Sequence, residues 1–233
     1  MDQLHVILPV YNEKGGIYTV LKSWKKELDR YRISYRILVC EDGSTDGTKE
    51  ILKSVQNKFN LILNQKSYRR SYGGAVIDGI KSSSAEFILC IDSDGQCNPK
   101  DFGKFWNRRG LADVIMGWRT KRNDPYQRRV YSSLFKIAFK LLFSTPLHDP
   151  SCPFVLFKRQ KVVSYIKMLK FLKEGFWWGF VGMCVKKNIA IEEIPIRHNV
   201  RLSGTTKVYT LAKTPYIAVN NLIGLIKLKL TDL

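Results

Sequence analysis

The stretch EFILCIDSDGQCNP, Glu86–Pro99, runs an apolar segment straight into two carboxylates, Asp92 and Asp94. A short apolar run bounded by turn residues suits a strand buried on both faces, as in a parallel sheet. Two like charges this close repel, and one loses its ionisation unless a cation or polar solvent compensates. Asp, Ser and Gly also form ordinary polar turns, so the pair alone does not separate a turn from a cation site.

Outward from that stretch the pattern recurs. LHVILPV, YRILVC, NLILN and ADVIMGW read as further strands. GGIYTVLKSWKKELDRY, STDGTKEILKSVQNKF, GGAVIDGIKSS and PKDFGKFWNRR carry helical spacing or helix-opening residues, the last with Pro in its first turn. Strands alternating with helices as far as Trp118 predict an α/β fold, a mainly parallel sheet flanked by helices. In such sheets ligands sit beyond the carboxyl ends of the strands. The polar clusters fall there: YNE after the first strand, EDGS after the second, DSDGQ after the fourth, WR after the fifth. Four loops agreeing in this way predict one composite site.

The chain has 233 residues, 45% of them hydrophobic, enough for one large domain or a domain with an appendage. Its formal net charge of +19 is uneven. Residues 1–100 hold 15 Lys and Arg against 12 Asp and Glu, whereas residues 101–233 hold 24 against 8. The second half therefore predicts an anionic partner: nucleic acid, a phosphorylated substrate or an anionic membrane surface. Nucleic acid is disfavoured, because the aromatics lie in apolar runs rather than interleaved with Lys and Arg. Five scattered cysteines without a CxxC pair predict reduced thiols in a cytosolic compartment. The opening MDQLHVILPVYNE lacks the basic and apolar regions of a secretory signal.

After Arg119 the alternation fails. TKRNDPYQRR is a basic loop, followed by VYSSLFKIAFKLLF over Val130–Phe143. On a helical wheel Ser132, Ser133, Lys136 and Lys140 share a narrow arc and the remainder is apolar. That pattern suits a helix lying in a membrane interface, or equally a core helix with one lysine-edged face in water. The C-terminal run Tyr209–Leu230 is apolar, but its longest charge-free stretch, Thr214–Ile226, is 13 residues, short of the ~20 that span a bilayer. The expected division is a catalytic domain over 1–210 and a C-terminal amphipathic, interfacial segment over 211–233 without a transmembrane helix.

Hard oxygen donors at Asp92, Asp94 and Gln96 suit Mg²⁺ or Mn²⁺ rather than zinc, and such an ion at a strand end can bridge nucleotide phosphates. Glu41 and Asp42 can accept hydrogen bonds from a ribose or base, while Ser44 and Asp46 suit turn and cap chemistry. Tyr11 and Glu13 can frame a base. Neither GxxxxGK[ST] nor GxGxxG occurs, so the P-loop and the dinucleotide fingerprint do not apply.

In order, VILPVYNE, ILVCEDGSTDGT, GGAVIDGI, ILCIDSDGQCNP and VIMGWR resemble the family-2 glycosyltransferases, most closely their polyprenol-phosphate sugar synthases of the dolichol-phosphate mannose synthase type. The resemblance is close over about the first 120 residues and looser to about residue 210. It implies a GT-A fold, a Rossmann-like sheet that binds a nucleotide-diphospho-sugar with a divalent metal. Pro9, Tyr11 and Glu13 match the first nucleotide motif. Glu41 and Asp42 match an acidic pair that is usually Asp-Asp. Asp92, Asp94 and Gln96 match the metal and diphosphate motif. Arg119 matches the arginine of a Gly-Ser-Arg motif, with Trp118 in place of Ser. Arg129 and Ser133 resemble the pair that grips an acceptor phosphate. DPSCPFVLFKR is similar to an Asp-x-x-Ser-Gly-Phe segment, which makes Asp149 a candidate on the acceptor side. RLSGTTK resembles an Arg-x-x-Gly-x-Ser-Lys segment, which puts Arg201 and Lys207 near phosphate.

The resemblance thus implies an inverting transferase moving a hexose from a GDP-mannose or UDP-glucose type donor to a polyprenyl phosphate. Asp94, Arg119, Arg129 and Asp149 are its expected catalytic residues, and it is expected at the cytoplasmic face of a membrane. A soluble glycan or glycolipid acceptor is the alternative. A nucleic-acid-binding protein and an inactive membrane-surface scaffold are the readings from other classes.

Overall fold

The computed structural model describes residues 2–120, 126–172, 174–202 and 214–231, and excludes the side chains of residues 126–131, 134, 214 and 215. Its strands are β1 Leu4–Val10, β2 Tyr35–Asp42, β3 Leu61–Lys66, β4 Phe87–Cys90, β5 Val114–Arg119, β6 Val155–Lys158 and β7 Ile191–Ile196. They form one sheet in the order β3-β2-β1-β4-β6-β5-β7. β6 runs antiparallel to both its neighbours, and the other pairs are parallel. The chain lays β2 and β3 on one side of β1 and then crosses to β4 on the other. That reversal opens a crevice at the carboxyl ends of β1 and β4, the usual ligand position in such sheets.

The helices are α1 Ile17–Leu28, α2 Thr48–Ser54, α3 Tyr72–Ser82, α4 Phe102–Trp106, α5 Tyr126–Phe143, α6 Arg159–Val162, α7 Phe176–Lys186 and α8 Thr214–Leu230. α1 buries Ile17, Val20, Leu21, Trp24 and Leu28, a stripe at three- and four-residue spacing. Trp24 meets Phe154 edge-on at 5.6 Å, and Phe154 stacks on Phe105 at 4.2 Å. One aromatic cluster thus joins α1 and α4 to the residue that leads into β6. All five cysteines are free and buried.

The five strands expected up to Trp118 are present. PKDFGKFWNRR forms a 3-10 turn at Pro99–Asp101 before the short α4. Beyond Arg119 the sheet gains β6 and β7, for which the sequence reading has no counterpart. β6 matters to the site: because it is antiparallel, its start lies beside the carboxyl ends of β4 and β5. Gly117 N donates to Phe154 O at 2.8 Å, which brings residues 149–153 to the same edge as Arg119.

α8 packs on α7 and α5, burying Leu225 and Leu228. Its outer face carries Tyr216, Val219, Ile223, Ile226 and Leu230, all exposed. α5 buries Phe139 and Phe143 but leaves Ile137 and Leu141 in the open, Leu141 at 79%. No helix among the described residues is long and apolar enough to cross a membrane.

α3 lies so close to the sheet that a Cβ on Gly79 would come within 2.7 Å of Cys40 Sγ and 2.9 Å of Ile7 Cγ2. Alanine gains about 1 kcal/mol of helix propensity there, but overpacking costs about 1–3 kcal/mol. Gly79→Ala is therefore expected to lower the urea midpoint at unchanged m-value, and a raised midpoint would show that α3 has room to move.

Candidate functional site

The loops after β1 and β2 are stitched together before any ligand is considered. Asn12 N donates to Ser44 Oγ at 2.9 Å, Glu13 N to Thr48 Oγ1 at 3.0 Å, and Lys14 N to Asp46 Oδ2 at 3.1 Å. Thr45 N donates back to Asn12 Oδ1 at 2.8 Å. Ser44 and Asp46 thus do turn chemistry. Glu41, fully buried, accepts from Ser44 N and has Lys49 Nζ at 3.9 Å. It faces into this turn and does not line the cavity, whereas Asp42 does.

Asp42 is held by the loop after β3. Arg70 Nε donates to its Oδ1 at 3.2 Å, and the same guanidinium reaches Asp78 Oδ2 at 2.9 Å and Glu41 O at 2.8 Å. Burial still pushes the Asp42 carboxyl up, against the pull of Arg70 and Arg69. Arg69 lies over the Tyr11 ring at 3.9 Å, with its Nε 3.8 Å from Asp42 Oδ2. A cation, an aromatic face and a carboxylate meet at this end of the cavity.

At the β4 end the left-handed Gly95 (φ +80°) turns the chain after Asp94, and Gln96 N donates to Asp94 Oδ1 at 3.0 Å. Residues 196–202 return along this turn: Leu202 N donates to Asp94 O and Asn199 N to Gln96 O, each at 3.0 Å. That pairing sets Arg201 between two acids, with its Nη1 3.2 Å from Asp94 Oδ2 and its Nη2 bonded to Glu13 Oε1. Burial and the neighbouring Asp94 raise Asp92 to about 7, although Tyr72, Arg119 and Arg201 oppose the shift. Asp92 Oδ1 accepts from the Tyr72 hydroxyl at 2.7 Å, and that hydroxyl accepts from Trp177 Nε1 at 2.7 Å. Burial, followed by Asp92, keeps the Tyr72 phenol protonated far above its usual range.

At the end of β5, Arg119 forms a two-point pair with Asp149: Nε to Oδ2 at 2.7 Å and Nη2 to Oδ1 at 2.9 Å. Nη2 also reaches Ser151 Oγ at 2.8 Å. Asp149 N in turn donates to Glu193 Oε1 at 2.8 Å.

These groups enclose a cavity of about 310 Å³ lined by Pro9, Tyr11, Glu13, Asp42, Asp92, Asp94, Gln96, Arg119 and Arg201. A smaller cavity of about 180 Å³ adjoins it, lined by Trp118, Ser132, Ser133, Lys136, His148 and Asp149. Arg119, Ser132, Ser151 and Trp178 border both. The polar arc of α5 thus contributes Ser132, Ser133 and Lys136 to the smaller cavity. Positions 129 and 133 are one turn apart on this helix. The Arg129 side chain and all of Lys207 lie outside the described residues.

Arg69, Arg70, Tyr72, Ser151, Trp177 and Trp178 were not among the sequence candidates. Three of them had a usable signal. RRSY also follows a strand, β3, and a loop at that edge of a parallel sheet merits the attention given to the other four.

The chemistry of the acids fits a hard divalent ion. Mg²⁺ is commonly bound by one or two carboxylates plus substrate phosphates, and Asp92 and Asp94 supply that number. Among the described residues no cluster of three or more His, Cys, Asp or Glu completes a metal shell from protein alone. Phosphate oxygens and water would supply the remaining positions.

Residues 5–165 match the family model described as Glycosyl transferase family 2. The chain is 26% identical over 219 residues to a dodecaprenyl-phosphate galacturonate synthase of Rhizobium johnstonii, across 91% of this chain and 63% of that protein. It is 25% identical over 165 residues to an undecaprenyl-phosphate 4-deoxy-4-formamido-L-arabinose transferase of Pseudomonas aeruginosa, across 70% and 49%. The chain therefore spans about half to just under two thirds of the length of these curated relatives. A glucosyl-3-phosphoglycerate synthase from Mycobacterium tuberculosis, solved with Mn²⁺, UDP and phosphoglyceric acid, superposes with a TM-score of 0.75. That match is at 14% identity, across 99% of this chain and 80% of that one. TarS 1-349 of S. aureus in complex with UDP gives 0.59 at 20% identity, across 83% and 60%. At such identities the likeness to the solved structures is one of fold.

The Arg119–Asp149 pair supplies a test of the site's construction. Both side chains are largely buried, at 8% and 6% exposure. Removing one charge strands the other, at a typical cost of about 3–5 kcal/mol. Asp149→Asn is expected to lose stability on that scale in urea unfolding, and a change below about 1 kcal/mol would mean that water solvates Arg119 at this position.

Proposed function

We propose, for a chain that belongs to glycosyl transferase family 2, that it transfers a hexose from a nucleotide-diphosphate sugar to a polyprenyl phosphate. The observation that carries the reading is the pair of joined cavities, one ringed by the acids of β1, β2 and β4, the other by polar and basic groups of α5. The names of the two curated relatives support a polyprenyl phosphate as acceptor.

On this reading Asp42 and the Tyr11–Arg69 pair receive the nucleoside of a GDP-mannose or UDP-glucose type donor. Asp92 and Asp94 would hold Mg²⁺ or Mn²⁺, with Gln96 beside them, and Arg201 meets the diphosphate. The bound ion supplies positive charge against the departing diphosphate. The acceptor phosphate sits in the smaller cavity beside Ser133, with Arg129 and Lys207 as further phosphate ligands. One of its oxygens forms the new bond to the anomeric carbon from the face opposite the diphosphate, whose bond to that carbon breaks with inversion. A phosphate dianion is a nucleophile at neutral pH, so the protein's task is positioning and charge stabilisation rather than proton removal. Arg119, held by Asp149 at the border of both cavities, is placed to act on either phosphate.

Exposed apolar residues on α8 and on α5, Ile137 and Leu141 among them, together with Lys140, Lys227 and Lys229 on the same helices, support attachment to an anionic membrane surface; the cytoplasmic face is part of the proposal.

Incubation with a panel of sugar nucleotides, Mn²⁺ and a short polyprenyl phosphate tests the reaction. Sugar moving only to a soluble glycan would replace the acceptor. Asp94→Asn is expected to abolish transfer and weaken metal-dependent nucleotide binding with the fold intact; nucleotide binding indifferent to both EDTA and the substitution would sink the metal assignment. The protein should also pellet with anionic liposomes at low salt and less so at high salt. Failure to pellet at low salt would remove the membrane from the reading.

A further inference from the structure

Two acids follow β4, and each has its own holder. Asp94 is fixed by Gln96 N and Arg201. Asp92 is fixed from elsewhere, by a hydrogen-bonded chain that begins on α7. Trp177 Nε1 lies 2.7 Å from the Tyr72 hydroxyl oxygen, which lies 2.7 Å from Asp92 Oδ1. Indole N–H can only donate. The Tyr72 oxygen therefore accepts from Trp177, and its single proton points to Asp92. The direction of the chain is set by chemistry at its far end.

The side chains come from three separate elements, α7, the start of α3 and the end of β4, so no local turn requires their meeting. The Trp177 ring is further fixed by Phe176 and Phe180, at 4.9 and 5.4 Å between centroids. With Oδ1 engaged by Tyr72, the plane of the Asp92 carboxylate is set. Asp92 lines the larger cavity, and the Tyr72 hydroxyl engages its Oδ1.

We infer that Tyr72 is a positioning residue for divalent-cation binding: its hydroxyl, aimed by Trp177, holds Asp92 so that one carboxylate oxygen is presented to the ion. The inference rests on the metal reading above. Hydrogen bonds that orient a ligating carboxylate commonly carry 10–100-fold in metal affinity. Tyr72→Phe removes one oxygen and keeps the ring; Trp177→Phe removes the donor that aims it, together with part of the buried indole.

The test titrates Mn²⁺ against protein holding UDP or GDP, whichever it binds, and reads free Mn²⁺ by electron paramagnetic resonance. Tyr72→Phe should weaken Mn²⁺ binding about tenfold. Trp177→Phe should weaken it less, in the same direction. Nucleotide affinity in EDTA should stay near wild type for both, while the melting temperature falls modestly, because Tyr72→Phe leaves the Trp177 N–H unpaired and Trp177→Phe empties buried ring volume. Asp92→Asn, run in parallel, separates the two levels of the argument. If Asp92→Asn loses Mn²⁺ while Tyr72→Phe and Trp177→Phe bind it as wild type does, the positioning role is overturned and the metal reading stands. If Asp92→Asn binds Mn²⁺ normally, or wild type holds none with either nucleotide, the metal reading falls and this inference with it. If Tyr72→Phe loses metal-free nucleotide affinity as much as Mn²⁺ affinity, Tyr72 serves packing instead.

Discussion

The site depends on one electrostatic constraint: an apolar sheet that ends several of its strands in carboxylates must find each of them a partner. Glu13, Asp42 and Asp94 are buried at the carboxyl ends of β1, β2 and β4, and half-buried Asp92 lies beside Asp94. An unpaired buried carboxylate costs several kcal/mol, more than any single turn or cap returns. Each acid is met by a group remote in sequence: Arg70 for Asp42, Tyr72 for Asp92, Arg201 for both Glu13 and Asp94. These contacts pin the loop after β3, the start of α3 and the return segment 196–202 to one edge of the sheet. The placement of three segments therefore follows from neutralising charge, and the cavity is what remains between them.

The neutralisation is incomplete at Asp42, where burial outweighs Arg70 and Arg69, and again at Asp92. Asp92 stays raised to about 7 with Tyr72, Arg119 and Arg201 all pulling it down. Burial and Asp94 outweigh three favourable neighbours. On the proposed reading, a divalent ion held by Asp92 and Asp94 would supply the charge that is lacking. On that reading the raised Asp92 carboxyl and the spacing of the two acids in sequence have the same origin, the closeness of two like charges.

What could be read from the sequence follows the range of the forces involved. Strands β1 to β5 were legible because hydrophobic periodicity is local, and the acids were legible because they stop apolar runs. β6 was not: VLFK is four residues and resembles any buried segment. β7, IEEIPI, carries Pro195, which a central strand would not tolerate but this edge strand does. On α5 the wheel separated a Ser and Lys arc from an apolar body, but only packing shows that Ser132, Ser133 and Lys136 line the smaller cavity while Ile137 and Leu141 face outward. Glu41 and Asp42 part company in the structure. The motif groups it with Asp42, yet neighbours on a strand point to opposite faces, and Glu41 is buried in the turn. Arg70, Tyr72 and Trp177 gain their roles from partners up to 105 residues away, which no local pattern encodes.

The Arg119–Asp149 pair gives the two cavities a common wall with a specific electrical character. A guanidinium already held at two points by a carboxylate is close to neutral as a unit, so it draws an anion less than a lone arginine would. What it offers is fixed donor geometry. Asp149 is itself anchored through its backbone N–H to Glu193 on β7, so the chain Glu193–Asp149–Arg119 ties the shared wall to the sheet rather than to a surface loop. For a transfer between two phosphates this arrangement is suited to the task. Strong attraction at the shared wall would hold the departing diphosphate, whereas a rigid, partly compensated donor sets distance and direction with less affinity for either state. The proposed reaction needs that balance, because its nucleophile and its leaving group are both phosphate oxygens.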